Sequence, residues 1–336
     1  MNRKRFVGDW AMLGTVFGLI LFGLLMIYSA SNYTARLHMG NAFYYVERQI
    51  FTVLLGTAAM FLMMKLDYHR LLKMALPLYG LSLLLLAAVF VVGTASHGQK
   101  RWIYIGSIGF QPSEFAKFVL IIFLASICGA AGSMMKGILL VFLWMMPAAG
   151  MVMVTNLSTG IIIMGIAFII IFTASRQWLP FFVLMGLGGG FMGIFLKLAS
   201  YRVGRIEAWL NVETHPKGYQ TRQSLYAIGS GGLFGRGYGK SIQKLAYIPE
   251  AHNDMIFSVI CEEWGLLGAG IIAALFMFLI WRCLITANSA PDIPGALLTM
   301  GVTAHLGLQM LINIAVVTNS IPNTGIPLPF ISYGGT

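Results

Sequence analysis

Charge is what this sequence has least of. Only 11 of its 336 residues are acidic and 10% are charged, whereas roughly a quarter is usual for a soluble domain. A conventional soluble globular fold is excluded on that count. Cysteine is scarce too. The three present, Cys128, Cys261 and Cys283, lie in or at the ends of apolar blocks. They have neither metal-ligand spacing nor matching partners, so we read them as small packing residues. A cleavable leader is also missing: Met1–Arg5 runs into a long apolar block with no small-residue cleavage site and reads as an uncleaved start.

What is abundant is hydrocarbon. Hydrophobic residues make up 58% of the chain and the mean hydropathy is +0.81. They come in solid blocks of about twenty residues, the length of a helical membrane span, and they do not alternate as barrel strands would. The expected fold is all-α: a polytopic transmembrane bundle forming a single integral-membrane domain over 1–336. Nine spans are expected, near 11–31, 49–66, 74–94, 112–130, 137–155, 157–174, 179–199, 255–284 and 296–318. Between the third and fourth, 95–110 reads as a loop. A hydrophilic segment, 200–253, separates the seventh from the eighth. The 39 glycines and 21 methionines suit close helix packing.

Net charge is +11. In a soluble protein that would suggest nucleic acid; here lysine and arginine first anchor the cytoplasmic face, and no nucleic-acid partner is expected. With the N-terminus inside, the cytoplasmic ends carry Arg3, Lys4, Arg5, Lys65, Arg70, Lys73, Lys136, Arg176 and Arg282, against Arg36, Arg48, Lys100 and Arg101 outside. The positive-inside rule therefore predicts a cytoplasmic N-terminus and places 200–253 outside. That segment holds seven further cations, Arg202, Arg205, Lys217, Arg222, Arg236, Lys240 and Lys244. Either they are solvated loop charge or they form an electropositive surface for lipid head groups or a phosphate-bearing substrate.

Three motifs carry candidate chemistry. The run Gly229–Gly239 is glycine-rich, but Phe234 stands where a P-loop needs glycine; a membrane-surface turn or a phosphate-cradling nest remains. Glu114 and Lys117 sit three apart on one helix face and can pair near the end of the fourth span. In Pro249–Asp254, Glu250, His252 and Asp254 gather at the mouth of an apolar block, with Glu262 and Glu263 following. Asp254 could simply cap the eighth helix. Carboxylates so grouped also suit a divalent cation or acid/base work on a sugar hydroxyl.

These residues carry a resemblance. I-Y-S-A-S at Ile27–Ser31, R-W-I at Arg101–Ile103, Q-P-S-E-F-A-K at Gln111–Lys117 and G-Y-Q-x-x-Q-S-L at Gly218–Leu225 are part of it. So are A-I-G-S-G-G-L-F-G at Ala227–Gly235, Y-I-P-E-A-H-N-D-M-I-F at Tyr247–Phe257, and the closing T-G-I-P-L-P-F-I-S-Y-G-G-T. In order, and over essentially the whole chain, the sequence resembles the SEDS family (shape, elongation, division and sporulation) of bacterial membrane glycosyltransferases. Gly237–Lys244 and the P-N-T-G ending look more like the FtsW and SpoVE branch than the RodA branch. Two departures stand out. Asn156 occupies a place where many members have a carboxylate, so no charge-dependent role is assigned there. Members also usually have ten spans against nine expected here, which would leave the ninth less well packed.

The resemblance implies a peptidoglycan polymerase that joins lipid II units on the outer face of the bacterial cytoplasmic membrane, in division or sporulation. It implies Asp254 as the catalytic carboxylate acting on the acceptor hydroxyl. Glu114, Lys117, Arg101, Arg205, Gln220, Gln223, Glu250 and His252 would bind or support substrate. A divalent cation, magnesium or manganese, is the implied cofactor. The implied partners are lipid II, a class B penicillin-binding protein and other division-complex proteins. Composition and spacing alone leave a lipid II flippase or a non-catalytic division scaffold open beside the enzyme.

Overall fold

The computed structural model describes residues 8–96, 99–105, 108–130, 134–174, 182, 185–190, 193 and 200–334. Most of the span expected over 179–199 lies outside these residues, as do Arg3, Lys4, Arg5 and Arg176. The described elements are α1 (Trp10–Met39), α2 (Tyr44–Lys65), α3 (Tyr68–Lys73), α4 (Ala75–Val92), β1 (Thr94–Ser96), β2 (Gln99–Ile105) and β3 (Ile108–Phe110). There follow α5 (Pro112–Ala130), α6 (Met134–Thr155), α7 (Leu157–Ala174), α8 (Ser200–Leu210), α9 (Tyr219–Gly231), α10 (Ile256–Asn288) and α11 (Ile293–Val317). Among the described residues, α1, α2, α4, α5, α7, α10 and α11 are long and apolar enough to cross a bilayer. The protein is a multi-pass helical membrane protein.

The bundle has two buried clusters. One joins α4, α5, α6 and α7 through residues such as Tyr79, Leu120, Val152 and Ile166. The other joins α1, α9 and α10 through Met26, Ala227, Ile256 and Phe276. Helix α11 serves both, giving Leu297 and Ala304 to the first and Met310 and Val316 to the second. The C-terminal loop closes over the same seam with Ile326, Leu328 and Ile331.

Helix ends follow the capping chemistry. Asp9 accepts from Met12 N at 3.0 Å, and Arg282 on α10 pairs with its other oxygen at 2.7 Å. Asp292 caps α11 by accepting from Gly295 N at 2.7 Å. His69 lies between Asp67 Oδ1 at 2.7 Å and Asp292 Oδ2 at 2.8 Å. Hydrogen bonds to Asp67 and then Asp292 raise its pKa above the ordinary histidine value.

Two stretches differ from the sequence expectation. Helix α1 runs on past Ser31 to Met39 and stops where Gly40 adopts a left-handed φ of 70°. The expected loop at 95–110 is a three-stranded antiparallel meander, with β2 paired to both neighbours. Its R-W-I-Y-I core is the β-branched and aromatic alternation that favours a pleated strand. The hydrophilic segment 200–253 is likewise built, with α8, a 3-10 turn at Pro216–Gly218 and α9.

The glycine-rich run has a specific task. Helix α10 is interrupted at Gly265, whose φ of 68° and ψ of −167° are not helical. In hydrocarbon the freed backbone groups must be satisfied within the protein. Arg236 N and Gly237 N donate to Glu262 O and Glu263 O at 2.9 and 3.0 Å, and Leu266 N and Leu267 N donate to Gly232 O and Leu233 O at 2.9 and 3.1 Å. A side chain at Gly235, which has a φ of 77°, would collide with the Glu263 and Gly265 backbone. The Arg236 and Gly237 amides are thus spent on α10 and do not form a phosphate nest.

Glu262 and Glu263 are absorbed by the same contact. Glu262 accepts from Ser241 Oγ at 2.5 Å and Ile242 N at 2.9 Å. Glu263 Oε1 lies 2.7 Å from Lys244 Nζ, and Ser29 Oγ of α1 lies 2.8 Å from that same nitrogen. Both ends of this pair are buried. Removing one partner leaves a buried charge uncompensated, at a cost of about 3–5 kcal/mol, whereas replacing both with apolar groups is often neutral. Lys244→Met alone and Glu263→Leu alone are therefore expected to lower the unfolding temperature in detergent more than the double variant does. Single variants as stable as the double would show that the pair does not clamp the loop.

Candidate active site

β2, α5, the N-terminal part of α7, α8, α9, the turn ahead of α10, α11 and the C-terminal loop surround one large cavity of about 930 Å³. Of the residues singled out in the sequence, Asp254, Glu250, Arg101, Glu114, Lys117, Arg205 and Gln220 all line it. These come from stretches more than 150 residues apart. Gln223 and His252 do not line it.

Each wall residue is placed by local structure. Arg101 projects from β2 and donates from Nε to Thr155 O at 2.9 Å. That carbonyl belongs to the C-terminal turn of α6, where helix carbonyls lack intrahelical partners and the dipole favours a cation. Lys117 is almost wholly buried, one turn into α5. Its Nζ lies 2.8 Å from Glu114 Oε2, an ion pair on one helix face. Arg205 on α8 donates to Asn323 O at 3.3 Å. Asn156, also in the wall, offers its side-chain oxygen to Thr159 N at 3.3 Å. It works as a cap for α7, a role that needs no charge.

Asp254 stands ahead of α10, whose N-cap is Met255. Gln220 Nε2 on α9 lies 3.4 Å from Asp254 Oδ1, and Asn323 Nδ2 donates to Gln220 Oε1 at 3.2 Å. A carboxylate, an amide and a second amide thus run in series from α10 to α9 to the C-terminal loop. Around this carboxylate the wall carries four cations: Arg101, Lys117, Arg205 and Lys217. Such a cavity can hold an anion and offer a proton acceptor within the same space.

The residues present test the expected divalent cation. Among the described residues no group of three or more His, Cys, Asp or Glu could hold a metal ion. A resident all-protein cage does not fit. A hard cation bound through one carboxylate together with ligand phosphates does fit, as is usual for magnesium.

Sequence reading missed Asn323 and Gln309, both in the cavity wall, and named Lys217 only as one of seven loop cations. A signal for Gln309 was present: His305, Gln309 and Asn313 recur every four residues in an apolar span, a buried polar stripe on one helix face.

His252 has a different occupation. It lies in the turn outside the spans and stacks near Tyr45 at 4.3 Å and Tyr333 at 5.4 Å between ring centroids. Its carbonyl accepts from Tyr333 N at 2.9 Å. Burial pushes its pKa down to about 4, against a weaker opposing pull from Glu250. Between the ordinary value of 6.5 and about 4, the unfolded chain takes up a proton that the folded chain refuses. Folded stability therefore falls as pH drops through that window, by roughly 3 kcal/mol from this residue. Thermal unfolding at stepped pH should show His252→Phe losing less stability than wild type between pH 6.5 and 4. Parallel losses would assign the acid sensitivity elsewhere.

Comparison with known proteins agrees with this architecture. The model of the "Cell cycle protein" family, FtsW/RodA/SpoVE, matches residues 9–336. Stage V sporulation protein E of Bacillus subtilis is 38% identical, over 100% of this chain and 94% of its own length. A protein of Geobacter sp. named "Probable peptidoglycan glycosyltransferase FtsW" is 36% identical, over 99% of this chain and 94% of its own. Among solved structures, one described as "Structural coordination of polymerization and crosslinking by a peptidoglycan synthase complex" superposes with a TM-score of 0.81 at 28% identity, covering 98% of this chain and 93% of that one. The rod shape determining protein RodA of Thermus thermophilus gives 0.73 at 28% identity, covering 98% and 92%. The chain belongs to the FtsW/RodA/SpoVE family of cell cycle proteins.

Proposed function

We propose that the cavity around Asp254 is where this protein joins lipid II units into glycan strands, with Asp254 as the general base. The protein is a peptidoglycan glycosyltransferase, the activity named for its FtsW relatives. The observation that carries the reading is the single cavity holding Asp254 together with Arg101, Lys117, Arg205 and Lys217.

The step balances as follows. The acceptor sugar's 4-hydroxyl oxygen forms a bond to the anomeric carbon of the growing strand. The bond from that carbon to the lipid pyrophosphate breaks, and the pyrophosphate leaves with the electron pair. The hydroxyl proton passes to Asp254. The four cations hold the leaving group's charge, most strongly as it develops, and Gln220 orients the carboxylate. A divalent cation arriving with the pyrophosphate would add charge neutralisation, with Asp254 or Glu250 as its protein ligand.

Several finer assignments go with this reading. The cavity faces the outside of the cytoplasmic membrane and the N-terminus lies in the cytoplasm, as the lysine and arginine distribution supports. Likeness to a sporulation protein and to FtsW proteins supports a division or sporulation role. A class B penicillin-binding protein is the proposed partner, by analogy with the synthase complex that couples polymerization to crosslinking.

Asp254→Asn keeps the shape and removes the base. Purified Asp254→Asn protein is expected to polymerise lipid II about 10²- to 10⁴-fold more slowly than wild type, as read on glycan gels, with unchanged unfolding temperature. EDTA should lower the wild-type rate, and added magnesium should restore it. Undiminished polymerisation by Asp254→Asn would remove Asp254 from the chemistry. Wild-type protein that moves labelled lipid II across vesicles without polymerising it would replace the enzyme with a transporter.

A further inference from the structure

We infer that Asn313 is a positioning residue for Asp254, resting on the reading of Asp254 given above: its buried side-chain amide sets the catalytic slot by clamping both backbones that form it. Asp254 precedes α10, and its carbonyl lies outside that helix's ladder: Ser258 N bonds to Met255 O at 3.1 Å instead. Residues 321–328 of the C-terminal loop are equally irregular. Neither segment is held by secondary structure, yet the slot needs both in fixed register. Asn313, in the last third of α11 and 1% exposed, supplies that register. Its Nδ2 donates to Asp254 O at 2.7 Å and to Ile326 O at 2.8 Å. Both hydrogens of one amide are used, one on each segment.

The orientation of the amide follows from its neighbours. Two carbonyl oxygens face it, so the nitrogen must point at them. Its own Oδ1 is buried without a hydrogen-bond partner. The second bond matters because Gly325 precedes Ile326, with a left-handed φ of 67°. A methyl group added at Gly325 would stand 3.7 Å from Asp254 Oδ2. Holding Ile326 O therefore holds the wall against which the carboxylate lies. Asn313 does not line the cavity, so it acts through the two segments it holds, at Asp254 and Ile326.

Asn313→Leu and Asn313→Asp are close in size and lack the two-hydrogen donor. Misplacement of a reacting group by an ångström is enough for about a 10²-fold loss. In lipid II polymerisation both variants are expected to lose about that factor in kcat, with KM within about twofold of wild type. Hydrogen–deuterium exchange should rise in two segments only, 252–256 and 324–328. A purely structural role would instead raise exchange throughout α11 and lower the unfolding temperature with it. Wild-type kcat in either folded variant, or exchange unchanged in those two segments, would overturn the inference. The exchange measurement needs no activity. If wild type makes no polymer, the parent reading fails while local loosening of the two segments still decides the role of Asn313. Should Asn313→Leu not fold, Asn313→Asp, which keeps the outline of the side chain, carries both readouts.

Discussion

A backbone amide in hydrocarbon has nowhere to turn but the protein itself, and the whole arrangement around α10 answers to that constraint. Once the helix breaks at Gly265, two carbonyls and two N–H groups lose their partners. The glycine-rich run supplies all four, which fixes its path against the helix and forbids side chains where the two backbones meet. The buried Lys244–Glu263 pair then locks that run to α1 through Ser29. The turn bearing Asp254 inherits its position from this scaffold. What the composition offers as a flexible glycine stretch is among the more tightly determined parts of the molecule.

The site opposes one carboxylate-bearing turn to four cations contributed by β2, α5, α8 and the 3-10 turn. Charges of one sign drawn from distant elements repel each other, so such a wall is stable only if solvated or occupied by an anion. Local partners moderate the cost: Arg101 rests on a helix C-terminus, Lys117 has Glu114 beside it, and Arg205 has a loop carbonyl. The wall also carries Glu114, Glu250 and Asp254, so four cations face three carboxylates across one cavity.

Legibility in the sequence divided along physical lines. Spans with solid apolar blocks and a clear starting residue, such as Pro112–Ala130 and Leu157–Ala174, match the observed helices at both ends. Arg101, Glu114, Lys117, Arg205, Gln220, Glu250 and Asp254 were nameable as site residues through the family resemblance of their motifs, and they converge on one cavity, whereas Gln223, named on the same ground, does not line it. His252 shares its motif with Asp254 but packs against Tyr45 and Tyr333, a distinction that only three-dimensional neighbours reveal. The meander at 94–110 was hidden by brevity, since two of its three strands have only three residues, too short for periodicity to register. Glu262 and Glu263 looked chemical because carboxylates are scarce here, yet their partners are a serine, a lysine and backbone amides far along the chain. No spacing rule could have paired them.

The interruption at Gly265 also has a mechanical side. It divides α10 into a short segment, which carries the Asp254 turn on its free end, and a long rod running to Asn288. A continuous helix would transmit a tilt of its far end as a rigid shaft. Here the ladder of hydrogen bonds along the axis is cut, and both segments are instead laced to the same run of residues, 232–237. That run acts as a ligament across a joint. That run is one path from the rod to the Asp254 turn; Asn313 of α11, bonded to Asp254 O, is another.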